Sequence, residues 1–160
     1  KEIRANQFIV EDENGKTRIV LGVVKGGPGL ILFDEGGKPR ATLFIDNDGP
    51  GLSLSDEDGK PRVALSVIKN GSVIKSGPGL SLFDENGKIR AKMAVGKDGL
   101  GLSLSDENGK TRAGIRVSKD GPGLVLADEN GNPRVGMVVG KYGPGLSLHD
   151  ENGKVIRSLP

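Results

Sequence analysis

The sequence predicts an all-β protein: a repetitive antiparallel meander of about 14 strands, arranged as two-strand repeats. Three observations carry that prediction. The tetrapeptide Asp-Glu-x-Gly recurs with glycine at Gly15, Gly37, Gly59, Gly87, Gly109, Gly131 and Gly153, at spacings of 22, 22, 28, 22, 22 and 22 residues. Between these punctuation points apolar and other residues alternate with period two, the pattern of a half-buried strand. No segment shows a helical period. The whole chain, 1–160, reads as a single repeat domain with seven repeat turns and a six-residue duplication within 66–77.

The strands come in two kinds. One carries Leu-x-Leu, at Leu30/Leu32, Leu52/Leu54, Leu80/Leu82, Leu102/Leu104, Leu124/Leu126 and Leu146/Leu148, with Phe8/Val10 opening the series. The other carries three alternating apolar positions, such as Ala41/Leu43/Ile45, Val63/Leu65/Val67 and Ala113/Ile115/Val117. The intervening positions hold Ser53, Ser81, Ser103 and Ser147, with Thr42, Lys92 and Arg116 and scattered Phe33, Phe44 and Phe83. One face of the sheet is therefore apolar and the other wet, and Arg18, Arg40, Arg62, Arg90, Arg112 and Arg134 belong to the wet one.

The turns predict a register. Asp-Gly and Asn-Gly favour a type I′ turn, whose two central residues both need positive φ. A two-residue turn at Asp48-Gly49 sets Ile45 opposite Leu52 and Leu43 opposite Leu54. A second at Asp58-Gly59 sets Leu54 opposite Val63, Leu52 opposite Leu65, and Glu57 opposite Lys60 as a cross-strand ion pair. Both turns place all these apolar side chains on one face, and a one-residue slip would scatter them.

A sheet with one apolar face needs a second layer, and the chain has no helix to supply it. A parallel homotrimeric β-prism with a central apolar core fits best, because inward Leu, Val and Ala suit a thin triangular interior. A two-copy sandwich and self-closure into a barrel are the alternatives. A transmembrane barrel fits poorly: it needs aromatic girdles, and the chain has four Phe and one Tyr. No apolar run approaches the ~20 residues of a spanning helix.

Two places break the pattern. Ser66-Val-Ile-Lys-Asn-Gly71 is followed by Ser72-Val-Ile-Lys-Ser-Gly77, a tandem duplication that lengthens one hairpin. Asn70-Gly71 is expected to turn there, pairing Val67 with Ile74, and Lys69, Asn70, Gly71, Ser72 and Lys75 become the candidate contacts for a partner. At the C-terminus Arg157 takes an inward position, as expected of a capping repeat; end strands left open would allow stacking into a fibre.

Composition excludes several functions. The net charge of +2, with 23 basic against 21 acidic residues, is not the one-signed field of a nucleic-acid binder. There is no cysteine, which removes disulfides and thiolate metal sites. The Asp-Glu-x-Gly loops look like fragments of calcium loops but lack the distal acidic ligand, and Lys follows the glycine in six of seven copies. His149 is the only histidine, so no nucleophile–base pair is available. No catalytic, cofactor or metal site is expected, and the chain reads as a non-enzyme.

The string running from Arg40 to Arg62, and again from Arg112 to Arg134, resembles the repeats of uncharacterised bacterial surface proteins, which often carry an anchor ahead of a segment like Ile3–Asp12. The architecture is also similar to the trimeric β-prism stems of phage tail fibres and spikes. The resemblance implies a structural, self-associating stalk or fibre segment, extracellular or at a cell surface. The chain begins at Lys1 rather than Met, consistent with removal of a leader or anchor. The rival readings are an extracellular module binding glycan or a surface receptor, and a designed consensus repeat scaffold.

Overall fold

A computed structural model describes residues 2–24, 26–69 and 77–159. It contains 14 strands in one antiparallel meander, ordered along the sheet as they are along the chain. The strands are β1 (Gln7–Glu11), β2 (Thr17–Val24), β3 (Gly27–Phe33), β4 (Pro39–Ile45), β5 (Pro50–Ser55), β6 (Pro61–Ile68), β7 (Gly77–Phe83), β8 (Ile89–Gly96), β9 (Gly99–Ser105), β10 (Thr111–Ser118), β11 (Gly121–Ala127), β12 (Pro133–Gly140), β13 (Gly143–His149) and β14 (Val155–Leu159). Among the described residues there is no helix. The repeats fall into two compact units, 1–80 and 81–160, with the boundary inside β7.

Within each unit the facing pairs sort by face. In the first, Leu43 lies opposite both Leu30 and Leu52, and Thr42 opposite both Ile31 and Ser53. In the second, Ile115 lies opposite Leu102 and Leu124, and Gly114 opposite Ser103 and Val125. The alternation read from the sequence is therefore the alternation of the sheet.

The turns differ from the expected type I′. No described residue other than glycine has positive φ, so Asp58 cannot occupy a left-handed central position. Instead Gly59 donates its N–H to the Asp56 carbonyl at 2.9 Å, and Asp56 donates its own to the Lys60 carbonyl at 2.9 Å. Gly59 alone is left-handed, at φ 79°. This is a type I turn closed by a glycine and a bulge. The aspartate decides it: the Asp56 carboxylate accepts the N–H groups of Asp58 at 3.0 Å and Lys60 at 2.9 Å, which rewards a type I geometry. The bulge restores the expected pairs, Leu54 with Val63 and Leu52 with Leu65.

At the other kind of turn the expected register is off by two residues. Asp46 and Gly49 close the loop by exchanging backbone hydrogen bonds of 3.2 Å, so Leu43 faces Leu52 and Ile45 faces Pro50. The turn is centred on Asn47-Asp48 because the Asp46 carboxylate accepts from the N–H groups of Asp48 at 2.9 Å and Gly49 at 3.0 Å. A shift of two keeps every side chain on its face, which is why the two-faced pattern survives.

Among the described residues neither unit covers its own apolar face. Leu21, Leu43, Leu65 and Ile115 remain about half exposed, and among the described residues no large side chain is fully buried.

Candidate functional site

Two surfaces stand out: a polar brace repeated along one edge of the turns, and the uncovered apolar face.

The brace is built from the bulge. Where β3 meets β4, Leu32 pairs with Ala41 but Phe33 pairs with Pro39, so Arg40 is the unpaired extra residue. Arg18, Arg62, Arg112 and Arg134 occupy the same bulged place. A bulge re-aims its side chain, and here it aims arginine at the carboxylate six residues back. The distances are 2.6 Å for Arg18–Asp12, 3.3 Å for Arg40–Asp34, 3.3 Å for Arg62–Asp56, 3.6 Å for Arg90–Asp84, 3.5 Å for Arg112–Asp106 and 3.4 Å for Arg134–Asp128.

The same arginines tie one repeat to the next. Arg40 Nε donates to the Ser55 carbonyl at 3.0 Å, Arg90 Nε to Ser105 at 2.9 Å and Arg112 Nε to Ala127 at 3.1 Å, while Arg18 Nη1 donates to the Asp34 carbonyl. Lysines add parallel links, Lys38 Nζ to the Glu57 carbonyl at 2.7 Å and Lys88 Nζ to Glu107 at 2.7 Å. Each aspartate thus has one oxygen engaged by backbone amides and the other by a guanidinium. Donation from the amide four residues on is the main influence holding Asp12, Asp34, Asp84 and Asp128 below the ordinary 3.8. At Asp56 and Asp106 burial is the largest influence and pushes upward, but the amides and the arginine together outweigh it and these two are also lowered.

The brace explains the Asp-Glu-x-Gly motif as turn and strut chemistry. Sequence reasoning placed the arginines on the wet face but missed their role. The signal was present: in six of the seven repeats arginine follows the first aspartate of the motif by six residues. The seventh departs. Asp150 still caps the amides of Asn152 at 2.9 Å and Lys154 at 2.8 Å, but its bulged residue is Ile156, and Arg157 sits opposite Leu148 on the apolar face.

The remaining sequence candidates are placed as follows. Lys69 is exposed and donates its N–H to the Asp48 carbonyl at 2.8 Å; Asn70, Gly71, Ser72 and Lys75 lie outside the described residues, as does the expected Asn70-Gly71 turn. His149 contacts the Ser147 hydroxyl at 3.1 Å and the Gly153 carbonyl at 3.3 Å, so it belongs to the last turn. The tip of the Phe44 ring reaches over Gly51, its cross-strand partner, where an added Cβ would come within 2.5 Å of Cζ; the ring packs on the sheet instead of standing free for a sugar.

In unit 81–160 the apolar face holds a hollow of about 450 Å³ between Leu124, Met137, Leu146 and Leu159. The wet face of the same unit has a trough of about 460 Å³ floored by Gly101 and Gly114 and flanked by Lys92 and Arg116. Burial there lowers the Lys92 pKa from its ordinary 10.5.

No family model matches the chain, and no curated protein matches it. Among solved structures, a mutant of S. aureus TarM in complex with fondaparinux, alpha-GlcNAc-glycerol and UDP aligns over 84% of this chain and 20% of its own, at 14% identity and a TM-score of 0.24. A likeness of that size carries no inference about fold or activity.

Proposed function

We propose that this protein is a structural, self-assembling β-repeat, a stalk or fibre segment whose Leu/Val faces pack together, as three copies around a thin apolar core. One observation carries the reading: the chain exposes 11425 Å², whereas a compact protein of its mass exposes about 7,600 Å², and even two separate compact halves about 9,200 Å². The open faces are apolar, with Leu43, Leu65, Ile115 and Met137 each about half exposed, and the surplus exceeds the ~800 Å² per partner of a standard interface. Placement at a cell surface or on a phage particle rests on the resemblance of the repeats to surface and tail-fibre stems. The role is mechanical rather than catalytic.

Light scattering with mass determination tests this. A trimer has three times the 16.7 kDa of the chain, about 50 kDa, with little folded monomer at any concentration. A clean folded monomer overturns the reading.

The trough between Lys92 and Arg116 favours one rival, a module that lays an acidic glycan on the wet face. Binding on an array of acidic glycans that disappears in Arg116→Ala would support that rival; no binding to any of them would dismiss it.

A further inference from the structure

The apolar face has an internal order that a two-faced sheet does not require. Its side chains stand in three files that run across the strands. The middle file, from β2 to β13, holds only leucine, isoleucine and methionine, as at Leu43 opposite Leu52 and Ile115 opposite Leu124. One outer file lies beside the Asp-Glu turns, the other beside the glycine turns at the opposite ends of the strands.

Within a strand the sizes at the two outer files are reciprocal. Leucine on the Asp-Glu side goes with proline on the other: Leu54 with Pro50, Leu126 with Pro122, Leu148 with Pro144. Alanine goes with a branched residue: Ala41 with Ile45, Ala91 with Val95, Ala113 with Val117. Val135 goes with Val139. The turn does not impose the proline. Gly99-Leu100 opens β9 as Gly121-Pro122 opens β11, with both glycines left-handed at φ 125° and 109°. β9 is also the exception, with leucine in both outer files, at Leu100 and Leu104. Both of its neighbours then set alanine opposite Leu104, Ala91 on one side and Ala113 on the other.

The two outer positions of a strand are four residues apart, roughly 13 Å, with a middle-file side chain between them. Their sizes cannot compensate each other within a unit. They can do so between copies, where close packing leaves room for only a small partner beside leucine and for a larger one beside alanine.

We infer that copies pack about an axis along the strand order, each strand level with the same strand of the next copy. The Asp-Glu end of a strand then meets the glycine-turn end of its counterpart, and middle files meet middle files. The inference rests on the reading that Leu/Val faces of separate copies pack, and it adds which residues meet. A half turn or a third of a turn about that axis makes the same pairs, and either closes the assembly. Packing with the strand order reversed sets like end against like end, so the reciprocity within a strand would have no counterpart across the interface.

Ala113 and Val117 test this. Within unit 81–160, leucine at 113 extends a row that already holds Leu104 and Leu126, so the crowding comes from Val117 of the next copy. Full-length Ala113→Leu is expected to lower the melting temperature by several degrees through overpacking. Val117→Ala is expected to lower it by leaving a cavity. The double variant is expected to return close to the parent. Changes this far apart in one chain are ordinarily additive, so that recovery reads a contact between copies. Ala113→Leu combined with Val139→Ala, in the same file two strands away, should stay additive. An additive Ala113/Val117 pair, an equal recovery with Val139→Ala, or Ala113→Leu as stable as the parent overturns the inference. Light scattering on the parent separates the two claims. An oligomer with an additive pair refutes this packing order alone, whereas a folded monomer refutes the reading on which it rests.

Discussion

Leu43→Ala tests the apolar face most directly. Leu43 sits at the centre of that face in unit 1–80, between Leu30 and Leu52, and 50% of it is exposed in the isolated chain. Packing against other copies would cover that half, on the order of 80–90 Å², worth about 2 kcal/mol per chain at roughly 25 cal/mol per Å². Truncation to alanine loses most of it and leaves a hole in the interface, so a cost of about 2–3 kcal/mol per chain is expected. In a trimer every copy carries the change, and the midpoint concentration for dissociation should rise by at least about 100-fold. Sedimentation equilibrium across a dilution series reads this directly. Thr42→Ala is the control: Thr42 is the preceding residue on the same strand, facing Ser53 on the opposite side of the sheet, and should move the midpoint little. Equal effects of Leu43→Ala and Thr42→Ala, or no effect of the first, would refute the reasoning.

Further outcomes follow from the turns and the brace. Gly99→Ala should lower stability by about 2 kcal/mol or more in thermal melts, because Gly99 has φ 125° and an added Cβ would lie 1.9 Å from the Val117 carbonyl oxygen, with strained positions costing on the order of 1–3 kcal/mol. Acid should weaken the protein in a defined window. Asp12, Asp34, Asp56, Asp84, Asp106 and Asp128 are all lowered from 3.8 in the folded state, so their stabilisation is complete above that value and is lost as pH falls through the lowered ones. Denaturant midpoints should be flat above about pH 5 and fall steeply below about 4; Asp106→Asn should shallow that fall. Ile156→Arg restores a guanidinium six residues after Asp150. It should slow hydrogen exchange in β13 and β14 modestly, by an ion pair worth under about 1 kcal/mol, and unchanged exchange would mean that the bulge at 156 does not aim its side chain as the others do. Deletion of 72–77 should leave the melting temperature near that of the parent and change only partner binding or assembly, if the duplication carries a contact.

How much was legible in the sequence depends on the scale of the feature. Strand identity and face were readable because period-two alternation is local and repeats in every unit. Register at the Asp58-Gly59 turn was readable for its apolar pairs, although the turn itself is different, because a bulge and a three-residue loop give the same offset as the simpler turn. Register at Asp48-Gly49 was not, because the Asp46 carboxylate draws the loop closure one residue back, which shifts the cross-strand pairing by two. The brace was hidden for a related reason: Asp34 and Arg40 look like ordinary wet-face residues until the bulge at Arg40 brings them within 3.3 Å.

Sequence alone determined that the chain is a meander with one apolar face, since the alternation and the seven glycine turns permit little else. Only the tertiary structure decided how the repeats hold to each other, through an arginine displaced by a bulge and shared between its own aspartate and the next repeat's carbonyl. It also decided that each unit leaves its own apolar face open among the described residues: burying a sheet face takes a second layer, and strands that pair only with their sequence neighbours do not supply one.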